Sequence, residues 1–150
     1  MVVEITLHDQ IPSGKNQVKK VYTNGRCLMI PNKRFEIWRG EAGYEVMIQK
    51  QKWPRSVRDR LPLEHPMVAQ IDYHPLDRRL RDLPGMLDAL WHLLVWSQVI
   101  KDDGLLQGVQ WKYPWREEGP CILLRLIWAD AQEEVRQAGG GRLNASSLAA

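Results

Sequence analysis

Carboxylates flank an apolar stretch in the middle of the chain, and arginines precede the first of them. The run Asp77-Arg78-Arg79-Leu80-Arg81-Asp82 stands before the apolar segment from Leu83 to Ile100, and Asp102-Asp103 follows that segment. Carboxylate oxygens are the ligands that a hard cation such as Mg²⁺ prefers, and guanidinium groups bind phosphate oxygens in a fork geometry. The segment therefore favours a divalent metal next to a phosphate.

Each of these side chains also has an ordinary structural interpretation. Asp82 stands where a helix with Pro84 in its first turn needs a cap, and Asp102-Asp103-Gly104 has the composition of a turn. A run of arginines also suits a solvated surface. Asp88 interrupts the apolar stretch and either faces solvent or points to a site. It shares a helix face with Pro84, because the two positions are four residues apart.

The net charge of +3 is unevenly distributed. From Lys15 to Arg60 there are twelve Lys or Arg and four Asp or Glu, whereas the remainder has an acidic excess. This pattern indicates either an uneven solvated surface or a binding surface for a polyanion. In the second case the cations contact a phosphate backbone without reading bases. The candidate contacts are Lys15, Asn16, Lys19, Lys20, Arg26, Lys33, Arg34, Arg78, Arg79 and Arg81.

Several protein classes are excluded by composition. A chain of 150 residues predicts one domain. No apolar run approaches the ~20 residues that a membrane-spanning helix needs, and the first residues lack the basic region of a signal peptide. Cys27 and Cys121 are too few for a disulfide framework or a zinc cluster, so we expect two free thiols in a reducing cytoplasm.

The familiar catalytic and nucleotide-binding motifs are absent from the sequence. There is no Ser-His-Asp or Cys-His pattern, no P-loop and no GxGxxG. The four histidines lack the spacing of metal ligands, and His92 is expected to be a packed or surface residue rather than a base. Three tryptophans fall on predicted helices and are expected in the core, namely Trp38, Trp91 and Trp96.

The hydrophobic pattern predicts the elements that position these residues. Asn24-Gly25 indicates a type I′ hairpin turn, and Asn32 is a helix cap. The order of elements predicts a mixed α/β domain, with a mixed β-sheet packed by two main helices and a basic N-terminal hairpin arm. Strands are expected at 2–7, 67–73, 108–113 and 121–128, a hairpin at 20–23 and 26–30, helices at 33–51 and 84–97, and a short helix at 129–137 before a flexible tail at 138–150.

Taken together, these motifs resemble the RusA-type Holliday junction resolvases. The most specific match is the spacing from Asp82 to Asp103, which equals the family's spacing between its first and last essential carboxylates. The resemblance covers roughly residues 3 to 128, with 1–137 as the endonuclease domain. The matching stretches, in chain order, are 12–16, 31–38, 77–83, 88–90 and 99–103.

The resemblance implies an activity, a cofactor and partners. It implies a homodimeric endodeoxyribonuclease in the cytoplasm of a bacterial or phage-infected cell, which resolves four-way junctions of double-stranded DNA by paired nicks in recombination and repair. It implies Mg²⁺, with Mn²⁺ as a substitute, and neither a small-molecule substrate nor a membrane. Asp82 and Asp103 match metal ligands, and Arg81 matches a basic residue before the first ligand.

The family's Asp-x-Asp-Asn pattern, which a Lys follows, is broken in this chain. Pro84 replaces the second Asp, Gly85 the Asn and Asp88 the Lys. Because positions 84 and 88 share a helix face, we hypothesise that Asp88 supplies the missing oxygen, with Asp102 as a further ligand. The alternatives are a branched-DNA-binding protein with weak or no cleavage, and an unrelated binder of single-stranded DNA or RNA.

Overall fold

The computed structural model describes residues 1–12, 18–75, 81–112 and 121–129. Several predicted features lie outside these ranges. They are Lys15 and Asn16 of the arm, Arg78 and Arg79 before Asp82, the short helix beyond position 129, and the tail at 138–150.

The described residues have the mixed α/β content that the sequence predicts. None of their helices has the length and apolar character needed to cross a bilayer. The strands are β1 (Val2–Leu7), β2 (Val18–Thr23), β3 (Arg26–Pro31), β4 (Met67–Tyr73), β5 (Leu106–Lys112) and β6 (Ile122–Ile127), and the helices are α1 (Lys33–Lys52), α2 (Arg55–Arg58) and α3 (Leu83–Trp96).

The main sheet has the strand order β1-β6-β4-β5. Its outer pair β4 and β5 is parallel, with Met67 opposite Leu106 and Asp72 opposite Lys112. The pairs that involve β6 are antiparallel. Parallel neighbours need a crossover connection, and α3 supplies it, so β4, α3 and β5 form a βαβ unit.

One face of the sheet is covered by helices, and the other carries both charged and apolar side chains, including exposed Val2 and Val68. Along β4 the residues Met67, Ala69, Ile71 and Tyr73 are all buried, as strand alternation requires. They belong to the same core as the buried side of α3 and α1. On the opposite face Arg125 bonds Glu4 through Nε at 3.0 Å and lies 3.6 Å from Asp72 through Nη1. The helices therefore form a single layer over the sheet.

The hairpin β2–β3 is a separate two-stranded sheet. Asn24 and Gly25 have positive φ values of 51° and 72°, which confirms the predicted turn. The exposed residues of the hairpin include apolar ones, with Tyr22 at 75% exposure. A lone two-stranded hairpin is marginally stable in water. The stability of this arm therefore depends more on contacts outside the hairpin than the stability of the main sheet depends on contacts outside that sheet.

Helix α1 begins at the predicted cap, where the Asn32 side chain accepts from the Arg34 amide at 2.9 Å. It continues through two glycines to Lys52 and packs against α3. Gly43 lies against Trp96, since a Cβ at position 43 would stand 2.5 Å from Trp96 Cζ3, whereas a Cβ at Gly40 would meet nothing within 4 Å. The Trp96 ring therefore lies directly on the backbone of α1 at position 43, where this arrangement leaves no room for a Cβ.

The prediction for the helical tryptophans is correct for Trp38, which is buried, and partly correct for Trp91, which is half-buried against the core. It is wrong for Trp96, which is 48% exposed. Trp96 is the last residue of α3 and covers Gly43 from outside instead of filling the interior. Helical spacing alone did not distinguish the two situations.

Candidate functional site

A cleft of about 390 Å³ lies beside α3 and contains three of the predicted aspartates. Asp88 contributes from the helix, and Asp102 and Asp103 contribute from the segment that follows it. Positions 88, 91, 92 and 95 share one helix face because of their spacing, and the 3₁₀ turn Asp103–Leu105 packs against α3. We call this the α3 cleft; its lining is Asp88, Trp91, His92, Val95, Lys101, Asp102 and Asp103.

The segment after α3 is held in place by backbone hydrogen bonds. Val99 N donates to Leu94 O at 2.9 Å, which closes the helix end. Leu63 then pairs on both sides of Ile100, since its amide donates to Val99 O and its carbonyl accepts from Lys101 N. Lys101 Nζ lies 2.9 Å from Glu64 Oε1, and both side chains are exposed. The chain therefore turns back toward the helix and brings Asp102 and Asp103 beside it.

The two adjacent aspartates have different environments. Asp102 Oδ1 accepts from the Gly104 amide at 2.7 Å, so the turn interpretation is confirmed for Asp102. Asp103 is the exposed first residue of the 3₁₀ turn. Asp88 is exposed on the helix face that it shares with exposed Pro84. Asp103 and Asp88 are therefore the two carboxylates of the cleft that no turn engages.

Asp82 lies at the N-terminus of α3 and is not part of the cleft lining. It occupies the cap position, but its side chain makes no capping hydrogen bond. Six residues separate it from Asp88, which corresponds to about 9 Å along a helix. Among the described residues no three His, Cys, Asp or Glu form a group that could hold a metal. The predicted ligands are therefore divided between the cleft and the helix N-terminus.

Sequence reasoning missed a buried polar network next to Asp82, at the carboxyl end of β4. Tyr73 Oη accepts from Gln10 Nε2 at 2.8 Å and lies 3.0 Å from Gln10 Oε1. Cys121 Sγ donates to the same Oε1 at 3.7 Å. Burial raises the pKa of Tyr73, while hydrogen bonds with Gln10 and Arg81 act in the opposite direction. Arg81 is thus anchored to this network and is half-buried.

The two cysteines are free thiols, as predicted. Cys27 is exposed on the hairpin, whereas Cys121 is buried. Burial raises the pKa of Cys121 from 9.0 to about 11, so its thiol is neutral at physiological pH. A neutral buried thiol is a poor nucleophile, and Cys121 is consequently a packing residue.

His92 is half-buried and packs against Phe35, as the sequence predicts for a packed residue, but it also lines the α3 cleft. Its Nε2 lies 3.2 Å from Arg39 Nη1 on α1. Burial, and secondarily the charge of Arg39, lower the pKa of His92 from 6.5. His92 is therefore neutral at physiological pH. Sequence reasoning had no signal for the contact with Arg39, because 53 residues separate the pair.

The described members of the predicted phosphate-contacting set divide into two groups. Those on the hairpin and in the first turn of α1 are exposed, and they lie close along the chain. Arg81 is different, since it is half-buried beside Tyr73. The exposed members are Lys19, Lys20, Arg26, Lys33 and Arg34.

No protein-family model and no curated protein matches the sequence. A function for this chain therefore rests on the α3 cleft, the basic hairpin and the motifs of the sequence.

Proposed function

We propose that the protein is a metal-dependent, structure-selective endodeoxyribonuclease that nicks four-way DNA junctions, like the RusA-type resolvases that its motifs resemble. The observation that carries the proposal is the α3 cleft, where Asp88 lies on the same side of the helix as Asp102 and Asp103. The sequence predicts that the carboxylate of Asp88 replaces the one that is missing at Pro84. The cleft location of Asp88 supports that replacement.

The donors of the cleft suit Mg²⁺ in chemical type. Mg²⁺ usually keeps several waters and binds through one or two carboxylates plus substrate phosphates, so a complete protein cage is not required. Asp88 and Asp103 would hold the ion, with Asp102 beside them. When bound, Mg²⁺ supplies charge stabilisation and lowers the pKa of a bound water.

The cations of this chain would position the DNA. The exposed Lys19, Lys20 and Arg26 of the hairpin reach backbone phosphates, which gives affinity without sequence preference. Lys101 offsets part of the negative charge of the cleft, and so favours a phosphate there. Arg81, fixed by the Tyr73 network, would contact a flanking phosphate near Asp82.

A homodimer would match the approximate two-fold symmetry of a four-way junction. Isologous pairing is the commonest arrangement of two identical subunits, and it would present one cleft to each of two opposed strands. The exposed apolar side chains of the hairpin, Tyr22, Leu28 and Met29, would supply part of the contact area. Paired nicks follow from two such sites.

A second candidate function is recognition of branched DNA without cleavage. The observation in its favour is that the described residues contain no preformed group of three metal-binding side chains. Pro84 also stands where the family has a carboxylate. In this case the basic hairpin binds the junction, and the aspartates serve as turn and surface residues.

One assay separates the two functions. Labelled four-way junction, duplex and single strand are each incubated with Mg²⁺ and with EDTA. We expect symmetric junction nicks only with Mg²⁺. We also expect a reduction of about 100-fold or more in rate for Asp88→Asn, because a neutral amide holds the ion less tightly and the ion's charge stabilisation is worth several kcal/mol. The control is Asp59→Asn, an exposed carboxylate outside the cleft.

The outcomes have distinct meanings. Tight junction binding without nicks in Mg²⁺ or Mn²⁺ supports the recognition function. Normal cleavage by Asp88→Asn contradicts the role of Asp88. Equal affinity for all three DNA forms contradicts both junction functions.

A further inference from the structure

His92 and Arg39 form a pair that neither the metal hypothesis nor the basic hairpin accounts for. His92 comes from α3 and Arg39 from α1, with Nε2 and Nη1 3.2 Å apart. A guanidinium has donors and no acceptor, so His92 Nε2 must accept this hydrogen bond. The proton of the neutral ring is therefore on Nδ1.

Aromatic side chains surround the pair. The guanidinium carbon of Arg39 lies 4.7 Å from the Trp96 ring centroid and 5.9 Å from that of Phe35. The Phe35 ring also meets the His92 ring edge-on, with centroids 5.4 Å apart. Arg39 Nε is buried and has no hydrogen-bond partner among the described residues. The interactions of Arg39 are thus concentrated on His92 and the rings around it.

The position of His92 indicates a role for the tautomer that is protonated on Nδ1. Within the described part of the chain Nδ1 makes no hydrogen bond, and the residue lines the α3 cleft with Asp88, Lys101, Asp102 and Asp103. Among those neighbours the carboxylates suit a metal, and Lys101 is paired with Glu64. A neutral N–H donor in this cleft suits a phosphate oxygen, because it adds a contact without adding a charge that would repel the metal.

We propose that His92 is a phosphate-binding residue that donates from Nδ1 to a backbone phosphate oxygen of DNA in the α3 cleft, and that Arg39 is the positioning residue that fixes this tautomer. The inference rests on the proposed function for the identity of the ligand. The tautomer itself is a property of the free protein. The low pKa of His92 agrees with it, since the ring remains neutral at physiological pH.

The first test is spectroscopic and needs no activity. Long-range ¹H–¹⁵N correlation spectra of the labelled full chain distinguish a protonated from an unprotonated ring nitrogen, and His92→Asn assigns the signals. We expect Nδ1–H in the wild type and reversion toward Nε2–H in Arg39→Met, which keeps the apolar stem over the rings. Arg58→Met, which removes an exposed arginine, should leave the signals unchanged. An Nε2–H tautomer in the wild type overturns the inference.

The second test uses a matched pair of substitutions. The amide nitrogen of Asn lies near the position of Nδ1, whereas the amide of Gln reaches the position of Nε2. We expect His92→Gln to lower junction cleavage about 10- to 100-fold, the range for a hydrogen bond to a charged group, and His92→Asn to retain most of the rate. His65→Asn, at an exposed histidine, is the control, and thermal unfolding verifies that each variant folds.

Failure of the inference and failure of the proposed function give different results. Equal effects of His92→Gln and His92→Asn, on cleavage or on junction affinity, overturn the phosphate contact. If no variant cleaves but junction affinity follows the order wild type, Asn, Gln, the contact is supported and only the nuclease function fails.

Discussion

The aspartates of this protein have different structural roles. Asp102 and Asp103 are neighbours, yet one oxygen of Asp102 is engaged by the Gly104 amide and Asp103 is not. Asp82 has the position of a helix cap without the capping hydrogen bond. Among the cleft carboxylates, Asp88 and Asp103 are thus the ones that remain for a ligand.

Cys121 gives a residue-scale prediction about alkaline stability. Its folded pKa is raised to about 11, whereas the ordinary value is 9.0. A raised acid pKa contributes stability that is present below pH 9 and disappears as pH rises toward 11, because the unfolded thiol ionises first. We therefore expect the difference in unfolding free energy between wild type and Cys121→Ala to shrink across this window.

Urea unfolding at a series of pH values measures this difference. Cys27→Ala is the matched control, because it removes the other thiol of the chain from an exposed position. A constant difference for Cys121→Ala from pH 8 to 11 would contradict the raised pKa.

At the scale of elements, the contact between α1 and α3 reaches the α3 cleft at His92. Arg39 reaches His92 from α1, and Lys50 Nζ donates to Ser97 O at 2.8 Å, just beyond the end of α3. Trp96 covers Gly43 between these two contacts. Any change in the spacing of the two helices will therefore reach the cleft through His92.

Two glycines on α1 test this spacing. Gly43→Ala places a methyl group 2.5 Å from the Trp96 ring and should cost about 1–3 kcal/mol, the usual penalty for overpacking. Gly40→Ala meets nothing within 4 Å and should stabilise the helix by up to about 1 kcal/mol. Chemical denaturation measures both values. A stabilising Gly43→Ala would show that Trp96 moves aside freely.

Most element boundaries were predictable because local patterns determine them. Strand β4 was predicted at its observed bounds, α1 and α3 within one residue at each end, and the Asn24-Gly25 turn as observed. The contacts between elements were not predictable. Gln10 meets Tyr73 from 63 residues away, and Arg39 meets His92 from 53, so no local period contains them. The separation of Asp82 from the other aspartates was not predictable either, because it depends on where the chain turns after α3.

At the scale of the whole molecule, the basic hairpin is a two-stranded sheet distinct from the four-stranded main sheet. We expect combined Lys19→Gln, Lys20→Gln and Arg26→Gln to weaken junction binding and to flatten its salt dependence. The slope of log affinity against log salt should fall by about 0.9 for each phosphate that the variant no longer neutralises. Fluorescence anisotropy at several salt concentrations measures it.

The matched control removes as much charge from another exposed place. Lys52→Gln, Arg55→Gln and Arg58→Gln neutralise three exposed cations at the end of α1 and on α2. If this triple changes the salt slope as much as the hairpin triple, the interaction depends on overall basicity and the arm has no particular role.

The position of β6 has a consequence for how the chain reaches its fold. This strand lies between β1 and β4, pairing Val2 with Ile127 on one side and Tyr73 with Ile122 on the other. During synthesis β1 leaves the ribosome first, yet it has no neighbour in the sheet until nearly all the described residues have been made. Contacts so far apart in sequence slow folding. The nascent protein must therefore keep β1, an unpaired strand with apolar residues, from self-association until β6 is made. Interruption of translation before position 122 would leave β1 without a neighbouring strand in the main sheet.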